Sequence, residues 1–416
     1  YRKQNNFSNT LNIDSAYFLL TYGGMFENNT LIKDVNRIHA GQYLLIRDEK
    51  AIVKTYYDFN EVNANETNST KAIEQLNELF NESIKLEYEK DKEYNYEHLA
   101  TLSGGLDSRM NVMVANQLGY STNNFCFSQS NYDDQKIAQQ ISTDLKNTFQ
   151  FIPLDNAEYL TQIDENLPIY DGQIFYLASA HYNYSMNQLN TKKSGLIHTG
   201  QIGDGVLGGF VSKPTPNYFS TILSQRLAHK LPEIDTKKYS SEETFKLYNR
   251  VFNVTVAGSY VTQQHDTFLV SPFLNPDFIK LCLSLSPSIK QDGKIYIDWI
   301  NQKHPEVAKY KWEKTGFKPN AMWKIKFSRF SQKIKKTYHK SLNRLDKTSM
   351  NPYDYWYQNN SAIPHFFQVH FDMYIRLIEN PELKKDVTSL FQHGNTIEKS
   401  MVLTLLEAIH KYQLKN

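Results

Sequence analysis

Cysteine is almost absent from this chain: Cys126 and Cys282 are the two among 416 residues. They are too few for a disulfide framework. Each sits in an apolar run, Cys126 between Phe125 and Phe127 and Cys282 between Leu281 and Leu283. Both read as inert core residues rather than nucleophiles or ligands, which suits a reducing, cytoplasmic setting. No apolar run reaches the roughly 18 residues of a membrane span, so no transmembrane segment is expected, and no signal peptide is visible. The chain begins at Tyr1 rather than a methionine, as a fragment or a processed form would. An excess of one charge is lacking too: 46 Lys and Arg stand against 44 Asp and Glu, a formal net charge of +2. That balance argues against nucleic acid as the main partner. The histidines are scattered without HExxH or any other metal spacing. The Walker pattern GxxxxGK[ST] does not occur.

What the chain does have is Ser103, Gly104, Gly105, Leu106, Asp107 and Ser108 in succession. An extended run over residues 98–102 precedes them. A helical pattern over 107–118 follows, with Met110, Met113, Val114 and Leu118 on one face. Strand, tight loop and helix N-terminus form an anion cradle: glycines let the backbone approach a ligand, and the first helical N–H groups point at it. Ser103 and Ser108 add hydroxyls. Asp107 would repel a phosphate unless a divalent cation lay between, and hard Mg²⁺ resolves that conflict. A glycine turn between strand and helix is common, so the meaning of this one depends on the rest of the chain.

The pattern repeats downstream. Strands are expected at 124–128 and 149–154, with a helix at 133–145, a long aromatic helix at 170–189 and a strand at 196–198. Repeated strand–helix units mean a Rossmann-like α/β fold, a parallel sheet with helices on both faces and ligands beyond the C-terminal strand ends. A second glycine turn follows the 196–198 strand: Thr199, Gly200, Gln201, Ile202, Gly203, Asp204, Gly205, closing with Gly208, Gly209 and Phe210. Two aspartates on glycine turns at parallel strand ends suit one shared Mg²⁺. Upstream, residues 17–59 read as a small β-rich piece with a hairpin at 42–46 and 51–56 and no core of its own. A polar linker at 60–70 and a helix at 71–87 follow. Residues 268–274 read as the start of a core helix. Late in the chain come Lys311, Trp312, Glu313, Lys314, Thr315, Gly316 and Phe317. The basic stretch 322–347, with Lys324, Lys326, Arg329, Lys333, Lys335 and Lys336, reads as a solvated helix face. A helix at 396–412 closes a helical C-terminal region.

The run at 103–108 resembles the pyrophosphate loop of the ATP pyrophosphatases, and of the asparagine synthetase family in particular. The turn at 199–210 is similar to that family's second metal-binding motif. It departs at Gln201, where the synthetases carry a glutamate, and at Gly205. Ser271, Pro272, Phe273, Leu274 and Asn275 resemble a later motif whose preceding charged residues are here Phe268, Leu269 and Val270. The Lys314-x-Gly316-Phe317 setting resembles the family's late lysine loop, with Lys311 as a fallback. The first 60 residues resemble the end of the family's glutaminase domain, through Thr30, Leu31, Val35, Asn36, Arg37, Ile38 and residues 41–44 and 56–59, without its N-terminal nucleophilic cysteine.

The resemblance implies three segments: a glutaminase-like remnant at 1–60, an ATP-pyrophosphatase domain at 61–325 and a helical extension at 326–416. It implies ATP and Mg²⁺ as cofactors, with ATP held by Leu102, Ser103, Gly104, Gly105, Asp107, Ser108, Phe127, Thr199 and Gly200. The adenine would stack near Leu102 and Phe127. The metal falls to Asp107 and Asp204, and catalysis to Lys314 and Gln201, the latter at a pocket edge that varies with the second substrate. The implied reaction joins a small-molecule or peptide carboxylate to ammonia or an amine through an acyl-adenylate, releasing AMP and pyrophosphate. A separate glutaminase or biosynthetic partner is compatible with the truncated N-terminal piece. Three readings stand: an asparagine synthetase-like enzyme; a dedicated amide ligase or cyclase in natural-product or surface-polysaccharide assembly; and a non-catalytic ATP-binding paralogue.

Overall fold

The computed structural model describes residues 8–155, 157–320, 347 and 349–416. The basic stretch 322–346 lies outside them, as does the expected boundary at 325.

The chain opens with helix α1 (Ile13–Tyr22), capped by the Asn12 side chain and ended by Gly23 in the left-handed region. A hairpin of β1 (Gln42–Arg47) and β2 (Lys50–Thr55) follows. Helix α2 (Ser69–Glu93) starts at the Asn68 cap and buries Ile73, Leu76, Phe80 and Ile84, the apolar stripe of a core-facing helix. The α/β body then runs β3 (Leu99–Thr101), α3 (Leu106–Gln117), β4 (Asn123–Ser128), α4 (Asp133–Asp144) and β5 (Thr148–Pro153). After it come α5 (Ile163–Tyr170), α6 (Leu177–Met186), β6 (Leu196–His198), α7 (Glu242–Lys246), α8 (Phe252–Gln263), β7 (Phe268–Val270) and α9 (Pro276–Ser284). The remaining described residues are largely helical and end in the Thr396–Tyr412 helix.

Five strands form one parallel sheet in the order β5-β4-β3-β6-β7. Strand alternation sends Ala100 and Cys126 into a core with α2, α3 and α4. Leu99, Phe125 and Ile197 pack on the opposite face with Tyr182 and Met186 of α6 and Val261 of α8. The α/β expectation therefore holds, with helices on both faces. The order matters for function. From β3 the chain winds outward through β4 and β5, then returns to the other side of β3 as β6 and β7. The switch point lies between β3 and β6, and ligands of such sheets bind outside the strand ends there. Both glycine turns leave the sheet at that place.

Three expectations need correction. Residues 17–22 are not part of a β-rich piece but the end of α1. Leu19, Leu20 and Ala16 are buried with Met401, Leu405 and Ala408 of the Thr396–Tyr412 helix, so this segment shares the C-terminal core. The helix expected over 170–189 is shorter: Tyr170 ends α5, Asp171 (φ 53°) and Gly172 (φ 68°) turn left-handed, and α6 runs only over Leu177–Met186. Residues 268–270 are not a core helix start. They form the edge strand β7, where Phe268 is 61 % exposed, and the helix α9 begins only after Asn275 caps it.

Candidate active site

The loop after β3 is shaped from within. The Ser103 N–H donates to Ser108 Oγ at 3.0 Å, and the Gly105 N–H to Ser103 Oγ at 3.2 Å. The Gly104 N–H turns inward to Asp134 Oδ1 at 2.7 Å. Burial raises the Asp134 carboxyl to about 6, and the Gly104 N–H works against that rise. Gly105 is the N-cap of α3 and makes no side-chain capping bond.

The second turn is nested against the first. A Cβ at Gly200 would stand 2.2 Å from Ser108 N and 2.3 Å from Asp107 C, and one at Gly203 would stand 2.7 Å from Asp107 Cγ. Real Cβ atoms do not come that close, so glycine is required where the two turns touch. Between them Ile202 has φ 67°, a genuine outlier for a β-branched residue and a strain of about 1–3 kcal/mol held by its surroundings. The Asp204 N–H donates to Asp107 Oδ2 at 2.9 Å, and the Tyr296 hydroxyl donates to Asp107 Oδ1 at 2.8 Å. Burial first, and then the charge of Asp204, push the Asp107 carboxyl up to about 7. A cation between the two carboxylates would relieve that strain, so the pair fits a divalent metal. Among the described residues the two do not belong to a larger His/Cys/Asp/Glu cluster.

The third piece is the turn at 312–317. It closes on itself through Trp312 N–H to Phe317 O (2.9 Å) and Gly316 N–H to Trp312 O (2.8 Å), with Gly316 left-handed at φ 74°. Lys314 Nζ lies 3.6 Å from Asp204 Oδ2. Lys311 points elsewhere, to Asp133 Oδ2 at 3.5 Å.

These pieces enclose a cavity of about 540 Å³. Ser103, Gly105, Asp107, Ser108, Gly200, Asp204 and Lys314 line it, and so do Tyr296, Trp312 and Glu313. Five expected site residues do not line it. Leu102 and Gly104 are buried. Thr199 is tied through its N–H and hydroxyl to Val270 O. Phe127 packs 5.6 Å from the His181 ring. Gln201 turns away beneath α8. Its Nε2 lies 3.0 Å from where a Gly258 Cβ would stand, and its Oε1 is buried without a hydrogen-bond partner among the described residues.

Below the Thr199 turn lies a buried polar chain. His198 Nε2 meets Asp91 Oδ2 at 2.8 Å, and His98 Nδ1 meets the same oxygen at 3.0 Å. Tyr88 stacks on His198 at 3.9 Å and donates its hydroxyl to Asn111, whose amide donates to Thr199 O. This network fixes the floor of the site.

Residues 75–268 match the family model described as asparagine synthase. Over that segment the chain is similar to the asparagine synthase family. The match takes in both glycine turns and ends before the Lys314 turn. No curated protein matches the chain. The similarity supports an ATP-dependent amide ligase's framework over that segment, and the two glycine turns at the sheet's switch point both fall inside it. Sequence reasoning missed Arg109, Asp134 and Tyr296, which hold the site's parts. The one local signal was a charge, Arg109, inside a helix otherwise rich in buried apolar residues.

Proposed function

We propose that this chain is an AMP-forming amide ligase that adenylates a carboxylate with ATP and passes the acyl group to ammonia or an amine. The observation that carries this reading is the meeting of Asp107, Asp204 and Lys314 on one cavity at the switch point, from three distant parts of the chain. The carboxylate oxygen attacks the α-phosphorus of ATP while the bond to the bridging oxygen breaks and pyrophosphate leaves. Ser103, Gly105 and Ser108 line the place proposed for the pyrophosphate. Lys314 stands where it can offset charge on the departing group. Asp107 and Asp204 would hold Mg²⁺, which when bound neutralises phosphate charge. The nitrogen nucleophile then attacks the acyl carbon, AMP departs and a proton is lost to solvent.

ATP–pyrophosphate exchange across a panel of carboxylates tests the proposal, with Asp107→Asn as the control. Exchange that depends on one carboxylate and vanishes in the variant, at unchanged circular dichroism, is the expected outcome. MgATP binding without exchange for any carboxylate would favour a non-catalytic paralogue.

A further inference from the structure

Arg109 is fully buried in the first turns of α3. Its guanidinium spans two separate stretches of backbone. Nη2 donates to Gly104 O at 2.8 Å and to Lys311 O at 2.7 Å. Nη1 donates to Val307 O and Tyr310 O, each at 3.3 Å. Gly104 is the meeting point. Its carbonyl also accepts the Glu313 N–H at 3.2 Å, and a Cβ here would stand 2.7 Å from Glu313 Cβ. The Tyr132 hydroxyl donates to the Glu313 carboxylate on the far side.

Burying a guanidinium is costly unless its donors are satisfied. Its helix neighbours Met110, Val112 and Met113 are buried apolar residues, so an apolar side chain at 109 would suit the core at lower cost. Four carbonyls from two chain segments take the Nη donors, and Nε is left without a partner among the described residues. A planar fork can reach them at once, and the single point of a lysine ammonium cannot. We propose that Arg109 is a positioning residue, tying the Lys314 turn to the glycine loop so that lysine and cradle keep one fixed spacing. The role in turnover rests on the function proposed above; the tie itself does not. On this view Lys314 is preset by the fold, not delivered by a closing loop.

The test is hydrogen exchange on the full chain without ligand, comparing wild type, Arg109→Met and Arg109→Lys. In Arg109→Met, amides at 311–317 should exchange about ten- to a hundredfold faster, the loss expected for charged hydrogen bonds. The Thr396–Tyr412 helix should be unchanged, and Arg109→Lys should fall between. In turnover assays Arg109→Met should lower kcat while calorimetric MgATP affinity stays within about threefold, since the tie orders the lysine rather than binding ATP. Equal acceleration in the reference helix, no acceleration at 311–317, unfolding of both variants, or faster exchange with unchanged kcat would each overturn the proposal. Wild-type protein without MgATP turnover would instead refute the function, and exchange would still decide the tie.

Discussion

Replacing Lys314 with alanine separates a role in the reaction from a role in the fold. Lys314 is 55 % and Asp204 61 % exposed at the side chain, and their charges lie 3.6 Å apart. An ion pair that open to water contributes about 0.2–1 kcal/mol to stability. Thermal midpoints of wild type and Lys314→Ala should therefore agree within about 2–4 °C. The charge that builds as pyrophosphate leaves has a different setting. A cation about 4 Å away, at an effective dielectric of about 20, is worth about 4 kcal/mol. Loss of one such stabilising contact typically costs about 3–4 kcal/mol, or about a hundred- to a thousandfold in kcat. Lys311 carries the same charge and similar exposure but faces Asp133 and does not line the cavity, so Lys311→Ala should change kcat by less than about threefold. Steady-state kinetics on both variants, beside calorimetric ATP titration, make the comparison. Equal losses from the two lysines, or a loss confined to ATP affinity, would refute the assignment of Lys314.

Gly200→Ala places a Cβ against the backbone of Asp107 and Ser108 and should cost about 1–3 kcal/mol and abolish turnover. Gly119→Ala, at φ 92° with nothing within 4 Å, should cost about 1–2 kcal/mol of backbone strain and leave turnover intact. Melting and kinetics on the pair would contradict the nesting of the turns if Gly119→Ala were the more damaging to activity. Burial opposes charge on His198, but the hydrogen bond to Asp91 and the Glu87 carboxylate 3.6 Å from Nδ1 outweigh it and raise its pKa. The stability this contributes is complete below the ordinary imidazole value of about 6.5 and is lost as pH rises through the raised value. Thermal melts from about pH 5.5 to 9 should show wild type losing its advantage over His198→Gln, and parallel curves would count against it. Both thiols are buried, and burial pushes the Cys126 and Cys282 pKa values up. Purified chain should not release glutamate from glutamine, and release that survives mutation of both cysteines would overturn the reading of the first 60 residues.

Much of the α/β body was legible because its signals are local. Short apolar runs marked β3 to β6 within a residue or two, those of β3 and β6 ending at glycine turns, and the 396–412 helix was read at its true ends. The glycine turns announced themselves, since the contacts that demand glycine at 200 and 203 leave a mark in the sequence. What was not legible depends on distant partners. The apolar run of α1 gains its meaning from a helix at the other end of the chain. Phe268 looked like core because it is apolar, yet its strand lies at the sheet edge. Gln201 follows a glycine that faces the cavity, but its own side chain turns under α8 at Gly258. Arg109, Asp134 and Tyr296 lie on three separate helices, and no spacing along the chain foretells that they meet around two loops.

The sharing of one core by α1 and the Thr396–Tyr412 helix also bears on synthesis. About 370 residues separate them, so at about 5–20 residues per second α1 emerges roughly 20–75 s before its partner exists. Until then Leu19 and Leu20, buried in the finished fold, share only the earlier-made part of their cluster, such as Leu160, Leu167 and Leu177. The α/β body, built from neighbouring strands and helices, can form in the meantime. The nascent chain thus carries an apolar helix still short of its partner, a target for holding chaperones, and the Thr396–Tyr412 helix closes it when it is made.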